Sequence, residues 1–184
     1  SRNALDGAVT RLSPYITHGF VSLPEVLAGV AAQHRLDVQH KFVFELGWRA
    51  YFHHVWRHRG AGIFESFHAG VLPDHGYATE VPADVRQART GVPVIDMAVR
   101  TLYASGYLHN HARMWLASYL VHLRKVHWRA GANWMVAHLL DGDLYDFKGA
   151  QATGIASEDG DKAFDQEEFP APPGLPGMQV VHIG

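Results

Sequence analysis

Apolar and polar positions along this chain recur mainly with the three- and four-residue spacing of α-helices. The clearest case lies between residues 41 and 58, where apolar side chains return at these steps over about five turns. These side chains are Phe44, Trp48, Phe52, Val55 and Trp56. The spacing predicts an α-helix over 41–58.

Local start and stop signals predict further helices. The first fourteen residues are expected to form a loop in which Ser13 is the N-cap and Pro14 the first helical residue. The stretch Ser22–Glu25 has the sequence of a capping box and predicts a helix that ends near residue 33. Pro93 begins a helix that runs to about residue 103, and Gly106 suits its C-terminal stop.

The rest of the body also favours helices. The patterns predict helices over 108–125 and over 133–140, the second ended by Gly142, and loops with short helices over 59–90. Alternation typical of a strand is absent from the sequence before the last few residues, so the predicted fold is all-α and multi-helical. The tail is different: acids cluster over 158–168, and four of the nine prolines lie in 170–176. It is expected to be irregular, with one short extended element over 179–183.

Composition narrows the class of protein. The 184 residues are 47% hydrophobic and 18% charged, which is typical of one globular domain. The absence of cysteine excludes disulfides and cysteine-ligated metals, and it fits a reducing compartment, so we expect a cytoplasmic protein. No apolar run approaches the ~20 residues that would cross a bilayer, so no membrane association is predicted.

The charge of the body permits a nucleic-acid partner but does not by itself predict one. Residues 1–150 carry 15 Lys and Arg against 12 Asp and Glu, whereas residues 151–184 carry one Lys against six acids. This excess is far smaller than that of a strongly basic nucleic-acid-binding surface. The nucleophile-elbow, P-loop and Rossmann glycine motifs are also absent from the sequence.

Four groups of residues could carry chemistry. The first is Thr10-Arg11-Leu12-Ser13, just before a predicted helix, where free N–H groups, the helix dipole and a guanidinium favour phosphate. The alternative is a capped helix with a surface arginine. The second group combines Glu45, Trp48, Arg49 and Phe52, which share one side of a helix. They form either the wall of a cavity or an ordinary Glu–Arg pair beside core aromatics.

The third and fourth groups lie nearer the C-terminus. Asn110 and Arg113 point the same way from an otherwise apolar helix, so either protein groups or a ligand must satisfy them. Asp141 and Asp143 oppose a helix dipole, which indicates a specific partner: an arginine such as Arg113, ribose hydroxyls or ring N–H donors. Their spacing matches no dependable metal motif.

A histidine metal site is not predicted. His54 and His58 are four residues apart on the helix predicted over 41–58, a spacing found in many two-histidine sites. Neither an HExxH pattern nor an obvious third ligand accompanies them, so we expect no metal.

Taken in order, these motifs resemble the flavin-binding domain of the DNA photolyase and cryptochrome family. The resemblance covers roughly residues 2–146, and it implies an all-helical fold that holds FAD in a bent conformation. Each motif is weak alone, but all of them in series make a chance match improbable. The matching stretches are Thr10–Pro14, Glu45–Arg49, Thr90–Asp96, Gly106–Met114 and Asp141–Leu144.

The resemblance implies a role for each candidate residue. Thr10, Arg11, Leu12 and Ser13 would hold the diphosphate. Asn110 and Arg113 would flank the isoalloxazine, with Arg113 paired to Asp141, and Asp141 and Asp143 would accept hydrogen bonds from the ring edge and the sugar portion. Glu45 and Trp48 match positions that contact a flipped pyrimidine dimer, and Arg49 lies toward the cofactor. Trp128 matches the middle member of the tryptophan chain that photoreduces the flavin.

The departures from the family leave two functions open. A length of 184 residues leaves no room for the N-terminal antenna domain, and the Trp-x-Trp segment expected after Leu144 is replaced by Tyr145–Gln151. We therefore divide the chain into a helical FAD-binding-like domain, 1–146, and a divergent acidic, proline-rich tail, 147–184. One hypothesis is an FAD-binding flavoprotein that repairs damaged DNA in light, a photolyase-like lyase. The alternative is a non-catalytic module that has lost electron transfer.

Overall fold

The computed structural model describes residues 9–66, 70 and 72–142. In this part of the chain seven α-helices follow one another, joined by two 3₁₀ turns, Gly60–Phe64 and Asp74–Gly76, and a π-helical turn, Tyr119–Leu123. The α-helices are α1 (Ser13–Thr17), α2 (Leu23–Ala31), α3 (Lys41–Arg59), α4 (Ala83–Arg86), α5 (Pro93–Ser105), α6 (Asn110–Ser118) and α7 (Trp128–Val136).

Helices α2, α3 and α5 confirm the predictions made from local signals. The Ser22 side chain accepts from the Glu25 N–H, and the Ser22 N–H donates to the Glu25 carboxylate at 2.8 Å, so the capping box is formed. Gly106 ends α5 in the left-handed region, with φ 62°. A Cβ there would lie 2.7 Å from the Leu140 Cγ atom, so both conformation and space favour glycine.

Three helices begin with an unusual cap, the imidazole of a histidine. The Nδ1 atom of His40 accepts from the Phe42 N–H at 3.2 Å at the start of α3. His109 does the same for α6, at 3.1 Å, and His127 for α7, at 3.3 Å. An Nδ1 atom that accepts a hydrogen bond carries no proton, so each of these caps requires an imidazole whose Nδ1 atom is unprotonated.

Two predicted boundaries and one predicted cap are wrong. The helix predicted over 133–140 is α7, which begins five residues earlier because His127 caps it. The helix predicted over 108–125 begins at Asn110 and changes to the π-helical turn after Ser118. Leu12 is the N-cap of α1, and Ser13 is its first helical residue, since the Ser13 hydroxyl is engaged elsewhere.

The main hydrophobic core is built from α4 to α7 and the segments that join them. Its buried members are Val81, Val85, Ala88, Ile95, Ala98, Val99, Leu102, Leu108, Ala112, Leu116, Leu120, Val126 and Met135. Of the buried apolar residues outside this cluster, Trp128 and Ala132 belong to α7, and the other four belong to α2, α3 and the first 3₁₀ turn: Val26, Tyr51, Val55 and Ile63. The N-terminal helices therefore lie outside the main core.

The described residues confirm the all-α fold. They contain no strand, and the backbone pairing that they do show is one isolated parallel bridge between Ala78 and Val126. None of their helices combines the length and apolar character that a bilayer crossing needs. The predicted acidic, proline-rich tail and its short extended element lie outside the described residues.

Candidate functional site

A buried ion pair joins α6 to the segment after α7. The Arg113 Nη2 atom donates to both Asp141 carboxylate oxygens, at 2.8 and 2.6 Å, and Arg113 Nε donates to the Leu108 carbonyl at 2.8 Å. The Asp141 side chain is 0% exposed and that of Arg113 is 15% exposed. The pairing expected from the resemblance is therefore present, and protein groups satisfy both buried charges.

Helix α1 contributes to the same network through Ser13. The Ser13 hydroxyl donates to Asp141 Oδ2, across 128 residues of sequence. Burying an unpaired carboxylate is costly, and the three hydrogen bonds that Arg113 and Ser13 donate to Asp141 offset this cost. In this arrangement the Asp141 oxygens accept from Arg113 and Ser13, and the role expected for Asp141 toward a flavin stays a prediction.

Tyr107 stands at the centre of the charged groups. The guanidinium carbon of Arg11 lies over its ring, 5.8 Å from the centroid, and that of Arg113 lies 5.5 Å from the same centroid. Burial raises the pKa of Tyr107, and the nearby Arg113 acts in the opposite direction. Two cations therefore converge on one half-buried aromatic ring.

Arg11 reaches this place through an uncommon backbone conformation. Its φ is 53°, in the left-handed region that non-glycine residues seldom adopt. Thr10 and Arg11 are exposed, whereas Leu12 and Ser13 are partly buried. The exposed hydroxyl and guanidinium beside the start of α1 suit an anionic ligand group.

The second candidate group lies on α3. Arg49 donates from Nη2 to the Thr17 hydroxyl at 2.7 Å, which ties α3 to α1. Trp48 stacks on Phe52 with ring centroids 5.8 Å apart and planes at 23°. Glu45 is exposed one turn away on the same helix. An exposed carboxylate beside a partly exposed stacked indole is an arrangement that could bind an aromatic ring with a polar edge.

Three other predicted site residues occupy separate environments. Asn110 is exposed at the first turn of α6, and its amide donates to the Met114 sulfur at 3.7 Å, so the expectation that protein groups or a ligand must satisfy it is wrong: solvent can do so. Trp128 is buried, and its indole N–H donates to the Ser66 hydroxyl at 2.8 Å. Asp143 lies outside the described residues. Roles for these residues toward a cofactor stay predictions.

The Thr90–Asp96 stretch is a structural turn. Asp96 accepts from the Thr90 N–H at 2.8 Å, from the Thr90 hydroxyl at 2.7 Å and from the Gly91 N–H at 3.3 Å. These hydrogen bonds lower the pKa of Asp96, and the bond with the Thr90 side chain has the largest effect. The turn fixes the entry to α5, which explains why this motif contains an acid.

Sequence reasoning missed Tyr107 and Thr17. Tyr107 follows Gly106 in a stretch that the resemblance had already marked, and an aromatic residue immediately before the Asn110–Arg113 pair was the available signal. No sequence signal pointed to Thr17. The described residues hold no group of three or more histidine, cysteine or acidic side chains that could bind a metal, although the His54 and His58 rings lie 4.1 Å apart.

Comparisons with known proteins point to one family over most of the chain. The family model for the FAD binding domain of DNA photolyase matches residues 42–165. A deoxyribodipyrimidine photo-lyase from Streptomyces griseus is 34% identical over 137 residues, which are 74% of this chain and 30% of that protein.

Solved structures agree with this match. A cryptochrome from Synechocystis sp. PCC6803 superposes with a TM-score of 0.71 at 29% identity, covering 89% of this chain and 36% of that one. A photolyase from Sulfolobus tokodaii, solved with two FAD molecules, gives a TM-score of 0.67 at 28% identity, covering 89% and 38%. The chain thus spans about a third of the length of these relatives.

A shorter similarity involves a different class of protein. A tRNA-cytidine(32) 2-sulfurtransferase from Paracidovorax citrulli is 65% identical over 51 residues, which are 28% of this chain and 16% of that protein. That share is too small to assign the chain to the sulfurtransferases. The photolyase model, in contrast, covers more than half of the chain, and the helical fold agrees with it. The chain belongs to the family of the FAD binding domain of DNA photolyase.

Proposed function

We propose that this chain binds FAD at the junction of α1 and α6, as a photolyase- or cryptochrome-like flavoprotein. The observation that carries the proposal is the convergence of the Arg11 and Arg113 guanidinium groups on the Tyr107 ring. The exposed Arg11 guanidinium suits a ligand with a negatively charged diphosphate, whereas Asp141 already balances the charge of Arg113. The solved Sulfolobus tokodaii photolyase, which contains FAD, supports the same choice of ligand.

Each part of the site has a distinct task in this proposal. Thr10 and Arg11, both exposed, would contact the diphosphate, and the Leu12–Ser13 backbone at the start of α1 would add N–H donors. Arg113 would contact the isoalloxazine together with Asn110, while Asp141 holds the Arg113 guanidinium in place. Arg49 and Asp143 complete the proposed set of FAD-binding residues. Bound FAD would supply light absorption and one-electron transfer.

Uptake of FAD tests this proposal directly. Purified protein, incubated with FAD and passed through a desalting column, should retain a flavin absorption band. Arg113→Gln should weaken retention, because the buried Asp141 loses its cation and the flavin loses a contact. Arg100→Gln is the matched control, since Arg100 is an arginine on α5 that donates to the Ala88 carbonyl outside the site. Wild-type protein that stays colourless after incubation would refute the proposal.

Light-dependent repair of damaged DNA is the activity we propose for the flavin-loaded protein, as a photolyase-like lyase. The support is the α3 surface, where exposed Glu45 lies one turn from the Trp48–Phe52 stack. A flipped pyrimidine dimer would stack on Trp48 and donate to the Glu45 carboxylate. Reduced, FAD-loaded protein should then restore an ultraviolet-damaged oligonucleotide in light but not in darkness.

The variants Trp48→Leu and Glu45→Gln separate this activity from FAD binding. Both should lower repair while FAD retention stays unchanged, because neither side chain belongs to the proposed cofactor set. Repair that is absent from FAD-loaded wild-type protein would refute the DNA activity and leave FAD binding standing.

A second candidate is a flavin-binding module without electron transfer to the flavin. The observation that favours it is the position of the tryptophans: all five lie at or before Trp134, so the Trp-x-Trp segment of the family has no counterpart. Trp128, the one matched member of the chain, is buried against Ser66. Illumination of oxidised, FAD-loaded protein with an external electron donor distinguishes the candidates. Flavin photoreduction that occurs in wild type and disappears in Trp128→Phe would refute this second candidate.

A further inference from the structure

We propose that Tyr107 is a positioning residue, which sets the Arg11 guanidinium relative to Arg113 so that one diphosphate-bearing ligand contacts both ends of the site. This inference rests on the proposed function and deepens it. Tyr107 itself lies between Gly106, which ends α5, and the N-cap of α6. It is therefore anchored in the segment that joins two core helices, while its ring reaches the α1 segment.

The hydrogen bonds of Ser13 and Asp141 connect the two segments beside this ring. The Ser13 hydroxyl donates to Asp141, and Asp141 accepts from Arg113. The α1 segment that follows Arg11 is therefore tied to the same carboxylate that holds the Arg113 guanidinium near the Tyr107 ring.

The ring supplies the second connection. The guanidinium carbons of Arg11 and Arg113 lie 5.8 and 5.5 Å from its centroid, within the ~6 Å range of cation–π attraction. Attraction of both cations to one ring offsets part of their mutual repulsion. Arg11 is exposed and has a positive φ, so it depends on such a contact for its direction.

Removal of the ring should therefore act on ligand affinity through Arg11. In Tyr107→Leu we expect FAD affinity to fall about 5- to 30-fold, the range set by a partly desolvated cation–π contact. Tyr107→Phe keeps the ring and loses only the hydroxyl, so its affinity should lie between those of wild type and Tyr107→Leu. Tyr103→Leu is the matched control, because Tyr103 is an exposed tyrosine on α5 whose ring packs against Trp134 and His138.

A double-mutant cycle separates positioning from a general structural effect. FAD dissociation constants are measured by flavin fluorescence for wild type, Arg11→Ala, Tyr107→Leu and the double variant. If Tyr107 acts through Arg11, Tyr107→Leu should have little further effect once Arg11 is absent. Riboflavin, which lacks phosphate, serves as a second probe, and its affinity should change less than that of FAD in Tyr107→Leu.

The outcomes distinguish the two proposals. Wild-type protein that does not bind FAD overturns the proposed function and this inference with it. The inference alone is overturned if Tyr107→Leu leaves FAD binding unchanged. It is also overturned if the fold-changes in the FAD dissociation constant caused by Arg11→Ala and Tyr107→Leu multiply in the double variant. Should Tyr107→Leu fail to fold, the same cycle run with Tyr107→Met decides the question, because methionine fills a similar space without an aromatic face.

Discussion

Replacement of Asp141 by asparagine tests the central contact of the site. The substitution keeps the size of the side chain and removes its charge. Asp141 is 0% exposed and accepts from Arg113 and Ser13, so the change leaves a largely buried guanidinium without a counter-charge. The amide nitrogen would also face the Arg113 or the Ser13 donor, and an amide nitrogen cannot accept a hydrogen bond.

The size of the effect follows from burial. Removal of one partner from a buried ion pair typically costs about 3–5 kcal/mol, because the remaining charge stays desolvated. Arg113 retains 15% of its side-chain exposure and its hydrogen bond to the Leu108 carbonyl, which relieves part of this cost. We therefore expect Asp141→Asn to lower the free energy of unfolding by about 3 kcal/mol, the lower end of that range. Against a typical total of ~5–15 kcal/mol, this is a large loss.

Urea unfolding followed by circular dichroism measures the loss, provided that the slope of the transition is unchanged. Asp84→Asn is the matched control: Asp84 pairs with Arg124 at 2.7 Å, but the two side chains are 40% and 27% exposed. Water can solvate the remaining Arg124 charge, so the control should lose clearly less stability. If Asp141→Asn lowers the free energy of unfolding no more than Asp84→Asn does, burial does not control how much the Arg113–Asp141 pair contributes to stability.

Three further predictions concern stability. Leu116→Ala, at a side chain that is 0% exposed, should cost about 2–5 kcal/mol, whereas Leu123→Ala, at 71% exposure, should cost little; calorimetry of both compares them. Gly106→Ala should destabilise by more than ~1 kcal/mol, because φ is positive and the new Cβ would meet Leu140; equal urea midpoints would contradict this. Burial, and next the charge of nearby His111, lower the pKa of His109, whose Nδ1 caps α6. The folded state therefore disfavours the charged ring, so stability should be constant above the ordinary histidine pKa of ~6.5 and fall as pH drops below it. The charged or titratable groups that act on His109 include His111 and Arg113. His109→Asn, which keeps a cap, should make the urea midpoint less dependent on pH between neutral and mildly acidic pH.

The helices that could be predicted from sequence are those with local signals. The Ser22–Glu25 capping box, the long apolar period of α3 and the Gly106 stop each act within a few residues, so tertiary context does not alter them. The start of α7 could not be predicted in this way, because its cap, His127, is not one of the hydroxyl, amide or carboxylate side chains that usually cap helices. Histidine caps three helices here, and a neutral imidazole accepts as well as those side chains do.

The site shows the same limit at longer range. The Arg113–Asp141 pair was expected from the resemblance and is present. The hydroxyl of Ser13, predicted as a local cap, instead donates to Asp141 across 128 residues of sequence. Tyr107 was not singled out, because its contacts with Arg11 and Arg113 arise only when α1 lies against α6. Local pattern cannot reveal a contact whose partner is set by tertiary structure.

The manner in which α1 is attached explains why fold and site are governed by different residues. The main core draws its buried members from residues 81–135, so α1 adds nothing to it. The contacts of α1 with the rest of the chain include polar ones: Ser13 with Asp141, Thr17 with Arg49, and the His18 ring with the Leu140 carbonyl at 2.7 Å. Polar contacts are directional and add little net stability each, since water competes for the same groups. They fix where α1, and with it Arg11, is placed. The apolar cluster therefore holds α4 to α7 together, whereas the network around Asp141, which also stabilises the fold through the buried Arg113 pair, sets the position of Arg11 in the proposed FAD site.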